Sequence, residues 1–120
     1  MRILFLDDDL HRHRVFDRMH GPQTSDIVLH VWSSKEAIRA LETGEPFDLL
    51  SLDHDLGNNI DCEVDEDTGY EVALFVRDHL TPSRFPRGII IHSWNPAGAR
   101  RMRLAIEQAG IDVYERPFSV

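Results

Sequence analysis

Apolar runs and amphipathic stretches alternate along the chain. Ile3–Leu6 is a short apolar run of the kind that forms a buried strand. Asp9 is placed to cap a helix of about ten residues, with Val15, Phe16 and Met19 as its apolar stripe and Gly21-Pro22 as its stop. Ile27–Trp32 carries branched and aromatic residues and predicts a second strand. Ser33 and Glu36 have capping-box spacing, and Ala37, Ile38 and Leu41 mark the buried side of the helix they start; Gly44 ends it.

Leu49–Leu52 predicts the third strand. Thr68 and Glu71 repeat the capping-box spacing, followed by Val72, Ala73, Val76 and Leu80 at helical intervals. Pro82 and Pro86 bracket a turn. Gly88–Ile91 is the most apolar run, which predicts a central strand. Asn95 and Pro96 fit the cap and first position of a helix whose core positions are Met102, Ile106 and Ala109, with Gly110 at its end. Asp112–Glu115 predicts a last strand, closed by Arg116-Pro117. Strands and helices thus alternate, and right-handed crossovers then favour a doubly wound parallel sheet.

At 120 residues, the chain fits one domain spanning positions 1–120. No apolar stretch approaches the roughly 20 residues of a membrane span, and no signal segment opens the chain, so a cytoplasmic protein is expected. A lone cysteine, Cys62, excludes an internal disulfide and a cysteine-based zinc site. The net charge of −8 argues against duplex DNA as a partner, because that binding depends on phosphate neutralisation. The cations are almost all arginine, with Lys35 the single lysine. Arginine suits bidentate phosphate recognition, and it is equally an ordinary solvated surface residue.

Three polar clusters directly follow apolar runs: Asp7-Asp8-Asp9, Asp53-His54-Asp55 and His92-Ser93-Trp94-Asn95. In a parallel sheet all three fall at the carboxyl edge, where open α/β sheets place their sites. Asp8 and Asp53 are the candidate ligands for magnesium or another hard divalent cation, with Asp7 and Asp55 as supporting or further ligands. His54 and His92, with an ordinary pKa of about 6.5, are candidate proton carriers. Side chains alternate along a strand, so His92 and Ser93 cannot both enter the site unless the chain bends. His92 therefore reads equally as a hydrogen-bonded core histidine. Asn95 and Gly98 fit an anion site at a helix N-terminus, and Asn95 fits plain capping as well. Arg12 and Arg100 are candidate phosphate contacts. His11 and His13 are placed at the rim or surface, and His20, His30 and His79 are read as structural.

These motifs resemble the response-regulator receiver domain over the whole length. Ile3-Leu-Phe-Leu-Asp-Asp-Asp9 is similar to the first receiver strand, Asp53 sits where receivers carry the phosphoryl-accepting aspartate, Ser93 where they carry a hydroxyl, and Pro117-Phe118 at the end of the fifth strand. The resemblance implies a flavodoxin-like α/β fold, a five-stranded parallel sheet of order 2-1-3-4-5 with helices on both faces, and a magnesium site at Asp8 and Asp53. Two departures stand out. Arg116 occupies the place of the receiver lysine, and the turn after Asp53 is polar. With His92-Ser93-x-Asn95-Pro96-x-Gly98, these features resemble the cyclic-phosphate-processing receiver family.

The resemblance implies a metal-dependent phosphoesterase acting on a cyclic phosphate at an RNA end or on a nucleotide, with His54, His92, Asp53 and Ser93 at the reacting centre and Arg116, Arg12, Arg100, Asn95 and Gly98 around the phosphate. It would take a small phosphorylated ligand or RNA end as its partner and act as a monomer or weak dimer. The alternatives are a signalling receiver phosphorylated on Asp53 and a phosphate-ligand sensor without turnover. The acidic loop from Gly57 to Asp67 is expected to close over the site when metal and phosphate bind, or else to be a solvated insertion.

Overall fold

The computed structural model describes residues 1–20, 24–57 and 67–119. Its strands are β1 (Arg2–Leu6), β2 (Ile27–Val31), β3 (Leu49–Leu52), β4 (Gly88–Ile91) and β5 (Val113–Glu115). Its helices are α1 (Leu10–Met19), α2 (Ser34–Glu42), α3 (Tyr70–Asp78) and α4 (Pro96–Glu107), with a 3₁₀ turn at Pro82–Arg84. All pairings within the five-stranded sheet are parallel, in the order β2-β1-β3-β4-β5. The fold is the expected flavodoxin-like receiver arrangement. The centre belongs to β3, with the more apolar β4 beside it.

Strand alternation divides the core in two. Leu4, Leu6, Leu50, Leu52, Ile89 and Ile91 face α2, α3 and α4 and pack with Leu41, Val76, Met102 and Ile106. Ile3 and Phe5 face the other way, onto Phe16 of α1 and onto Phe118. Burying each such side chain contributes about 1.5–3 kcal/mol. Met19, expected on the buried stripe of α1, is 61% exposed, and the smaller His13 is buried in its stead. His13 was expected at the rim. Its ring stacks on Trp32 at a centroid distance of 3.7 Å, and its Nε2 lies 2.8 Å from the Asp7 carbonyl oxygen.

Three of the expected caps form. Asp9 accepts from the N–H groups of His11 and Arg12, Ser33 from Glu36, and Asn95 from Gly98. The Thr68–Glu71 capping box does not: α3 starts from Gly69 with no side-chain cap, because Thr68 is drawn into an antiparallel bridge with Asp55. Beside that bridge the Leu56 N–H donates to the Asp67 carbonyl at 3.2 Å and the Gly69 N–H to the His54 carbonyl at 2.7 Å. The Asp67 carboxylate accepts from the Ser34 N–H at 2.9 Å and from the Ser34 hydroxyl, so the residues flanking the acidic stretch are tied to the body. The expected closure of that loop, the stop at Gly21-Pro22 and Cys62 lie outside the described residues. No described helix is long and apolar enough to cross a membrane.

Candidate functional site at the carboxyl edge

The sheet register assembles the site. Phe5 pairs with Ser51 and Ser51 with Ile90. Two residues further along each strand, on the same face, stand Asp7, Asp53 and His92. The ladder continues to this row: the Asp53 N–H donates to the Leu6 carbonyl at 3.0 Å and the His92 N–H to the Leu52 carbonyl at 2.9 Å. All three side chains are buried. They bring a donor atom each to within 4.8 Å of one another.

His92 belongs to this row but does not line the cleft. Its ring stacks on Phe5 at 4.8 Å, and it is 2% exposed. Nε2 lies 2.9 Å from the Asp7 carboxylate and Nδ1 lies 2.8 Å from the Ser51 hydroxyl. A neutral imidazole satisfies both: Nε2–H donates to Asp7, and Nδ1 accepts from Ser51. Burial lowers the pKa of His92 and favours that neutral form. Burial pushes Asp7 the other way, but the hydrogen bond and charge of its neighbours win, and its carboxyl is held below the usual value.

Asp53 behaves oppositely. Burial, reinforced by the Asp7 charge, pushes its carboxyl up to about 7, against the weaker pull of the His54 N–H and Arg12. The Arg12 Nη1 stands 3.5 Å from both Asp7 Oδ2 and Asp53 Oδ2. One guanidinium therefore spans two carboxylates and leaves negative charge uncompensated. Asp8 lines the same cleft. The carboxylates of Asp7 and Asp53, which converge, and of Asp8 on the cleft wall are hard oxygen donors of the kind a divalent cation takes. His92 is a poor further ligand, since both its ring nitrogens are already engaged. Asp7 thus stands nearer the centre of the site than expected, because the register sets it level with Asp53.

Above this row opens a cleft of about 400 Å³, lined by Asp8, Arg12, Asp53, Asp55, Ser93 and Trp94 among others. Ser93 reaches it because the chain bends after β4. Its hydroxyl oxygen accepts from the Asn95 N–H at 3.0 Å, which leaves its own proton available to donate. His54 is buried behind Asp55, and its Nδ1 lies 2.7 Å from Asp55 Oδ1. Asn95 Nδ2 donates to the same oxygen at 3.3 Å. The His54 ring fills the space where Gly98 has no side chain: a Cβ there would lie 2.5 Å from its Cγ. Gly98 thus serves side-chain packing.

Arg100 is exposed on α4, and Arg116 is exposed with its guanidinium 5.9 Å from the Tyr114 ring centre; neither lines the cleft. The remaining histidines divide by burial. His11 is exposed, whereas His13 Nδ1 meets His30 Nδ1 at 2.6 Å and His30 Nε2 meets Asp17 at 2.6 Å. Sequence reasoning had no role for Ser51, Trp94, Asp67 or Gly69. The period-two spacing of Ser51 before Asp53 was an available signal for the first. The close approach at Gly69 depends on tertiary packing.

A parallel sheet of this order, ending in an acidic cleft at its carboxyl edge, defines a receiver-type domain. The chain belongs to the family described as the cyclic-phosphate processing receiver domain, whose model matches residues 2–108. Among solved structures, it is similar to a response regulator from Burkholderia pseudomallei determined with a phosphorylated aspartic acid, calcium ion and citrate. That likeness has a TM-score of 0.70 and 19% identity over 99% of this chain, which spans 61% of that one. It is also similar to the receiver domain of the sensor histidine kinase PA1611 from Pseudomonas aeruginosa, which has a magnesium ion coordinated in the active-site cleft. There the TM-score is 0.65 and the identity 24%, over 98% of this chain and 86% of that one. A third is the receiver domain of the histidine kinase CKI1 from Arabidopsis thaliana, complexed with Mg2+ and BeF3−, with a TM-score of 0.62 and 25% identity over 95% of this chain and 79% of that one. No curated protein matches the chain in sequence.

Proposed function

We propose that this domain accepts a phosphoryl group on Asp53 with a divalent cation bound beside it. The observation that carries the reading is the setting of Asp53. Its buried carboxylate faces a polar cleft, Arg12 spans it and Asp7, and Ser93 stands at the end of the neighbouring strand. In the reaction an Asp53 oxygen attacks phosphorus of a small phosphodonor. The bond from phosphorus to the leaving oxygen breaks, and its electron pair departs with the leaving group. The product is an acyl phosphate. The attacking carboxylate must be ionised, and a carboxyl raised to about 7 is only half so at neutral pH. A divalent cation held by Asp53 and its acidic neighbours would supply positive charge that lowers this pKa and balances the phosphoryl oxygens. Arg12 adds charge from the side, and the Ser93 hydroxyl is placed to donate to a phosphoryl oxygen. Intact-mass spectrometry after acetyl phosphate and magnesium tests this: a hydroxylamine-labile phosphoryl adduct is expected in wild type and none in Asp53→Asn. No adduct in wild type overturns it.

A second reading is the processing of a cyclic phosphate in the same cleft. Family membership supports it, as does a cluster that phospho-acceptance does not use: Asp55 at the cleft wall, fixed by His54 and Asn95. A fixed carboxylate there is placed to orient water against phosphorus, and a ring oxygen would leave to give a linear monoester. Turnover of a 2′,3′-cyclic nucleotide that is lost in both Asp53→Ala and Asp55→Asn supports this reading. Turnover equal in wild type and Asp53→Ala removes it.

A further inference from the structure

We infer that Trp94 is a stacking platform for a nucleobase, so that the phosphorylated ligand of this cleft is a mononucleotide. The inference rests on the reading of the cleft as a phosphoryl site and names the class of compound that enters it.

Trp94 is an unusual residue to leave in water. It is 65% exposed, the most exposed of the large hydrophobic side chains among the described residues. Leaving so large a ring in solvent forgoes burial worth more than that of most other side chains. The position is also not a random surface one. Trp94 directly follows Ser93 and lines the cleft that has Asp53 and Arg12 in its wall. The rest of the loop is ordered around it: the Asn95 N–H is bound to the Ser93 hydroxyl, and Asn95 caps α4 through Gly98. The backbone that carries the indole is therefore held, while the indole face is left open.

The size and charge of the cleft narrow the ligand further. A cleft of about 400 Å³ holds a small molecule with one ring system and a phosphate, within the range of ordinary ligand pockets. Its wall carries Asp8, Asp9, Asp53, Asp55 and Asp67 against one guanidinium, Arg12, so a phosphate enters only together with a cation. A longer nucleic acid would bring several phosphates to a chain of net charge −8, which disfavours it. Base stacking on an aromatic ring is tolerant of base identity, so the platform selects for a base without selecting which one.

The test measures binding calorimetrically in magnesium, with AMP, ribose 5-phosphate and a short oligoadenylate bearing a terminal phosphate as probes. Wild type is expected to bind AMP at least about fivefold more tightly than ribose 5-phosphate, in line with the usual worth of one stacked base. Trp94→Ala is expected to bring AMP down to the affinity of ribose 5-phosphate, and Trp94→Phe to restore most of the difference. AMP is expected to bind at least as tightly as the oligoadenylate. Equal binding of AMP and ribose 5-phosphate in wild type overturns the inference and leaves the phosphoryl reading intact, as does an AMP preference that survives Trp94→Ala. Tighter binding of the oligoadenylate overturns the mononucleotide assignment. Failure of all three probes to bind overturns the inference, whereas the phosphoryl reading stands or falls separately with the acetyl-phosphate adduct on Asp53.

Discussion

Replacing Gly69 with alanine tests how closely α3 approaches the end of β3. The backbone of Gly69 has φ −64° and ψ −14°, values open to any residue, so the glycine is not required by its conformation. It is required by space. A Cβ there would overlap the Asp53 carbonyl oxygen and lie 3.1 Å from the carbonyl carbon and 2.9 Å from the Met102 Cε. Met102 can swing away, but the Asp53 carbonyl belongs to the strand backbone. Overpacking that side chains can absorb costs about 1–3 kcal/mol, and a backbone clash sits at the top of that range. Gly69 is also the N-cap of α3, where alanine is disfavoured by several tenths of a kcal/mol or more relative to glycine. The total is about 3–4 kcal/mol. Unfolding entropy of roughly 2.1 cal/mol/K per residue gives about 250 cal/mol/K for this chain, so Tm falls by about 12–16 °C. Circular dichroism melts of wild type and Gly69→Ala measure it. A Tm within about 4 °C of wild type would refute the close approach and, with it, the placement of Asp53 described above.

Four further outcomes are expected. In the presence of a chelator, stability falls as pH rises from about 4 to about 7, because native Asp53 keeps its proton up to about 7 whereas the unfolded chain releases it near 4. The fall is up to about 4 kcal/mol by urea titration, Asp53→Asn flattens it, and a slope unchanged by that substitution contradicts the raised pKa. Asp7 acts with the opposite sign: its lowered carboxyl contributes stability that is complete above about pH 4 and lost on further acidification, so Asp7→Asn should lose its disadvantage there. His92→Ala removes the hydrogen-bond partner of buried Asp7 and opens a cavity against Phe5, for an expected loss of about 3–5 kcal/mol in urea unfolding; a loss under 1 kcal/mol would show that the imidazole is dispensable. Asn95→Ala should cost about 1 kcal/mol in the same assay through the lost cap, and a neutral result would contradict the Gly98 hydrogen bond.

The fold was legible because strand and helix periods differ so plainly. Every predicted strand is present, and only ends shift, as where the last strand begins at Val113 and not Asp112. The site was legible down to which strand ends meet. Less readable was depth. Asp7, Asp8 and Asp9 are neighbours with one chemistry, yet the structure buries the first, sets the other two along the cleft and makes the third a helix cap as well. Alternation predicted that His92 and Ser93 would part company; both are buried, and Ser93 is the one that lines the cleft. Thr68 misled because its backbone is engaged in a bridge with Asp55, a tertiary pairing that local spacing does not reveal, and α3 starts one residue later. Arg116 matched a motif by position, but where a guanidinium swings depends on neighbours such as Tyr114 that lie two residues away along a strand.

The bridge between Asp55 and Thr68 has a consequence for how this sequence tolerates change. Four backbone and side-chain ties, at Asp55, Leu56, Asp67 and Gly69, draw both ends of the acidic segment into one narrow neck. Closing a longer loop costs only about 0.6 kcal/mol for each doubling of its length. A neck held by the body on both sides is therefore expected to stay shut when the number of residues between Leu56 and Asp67 changes, so insertions and deletions there should spare the strands that build the cleft.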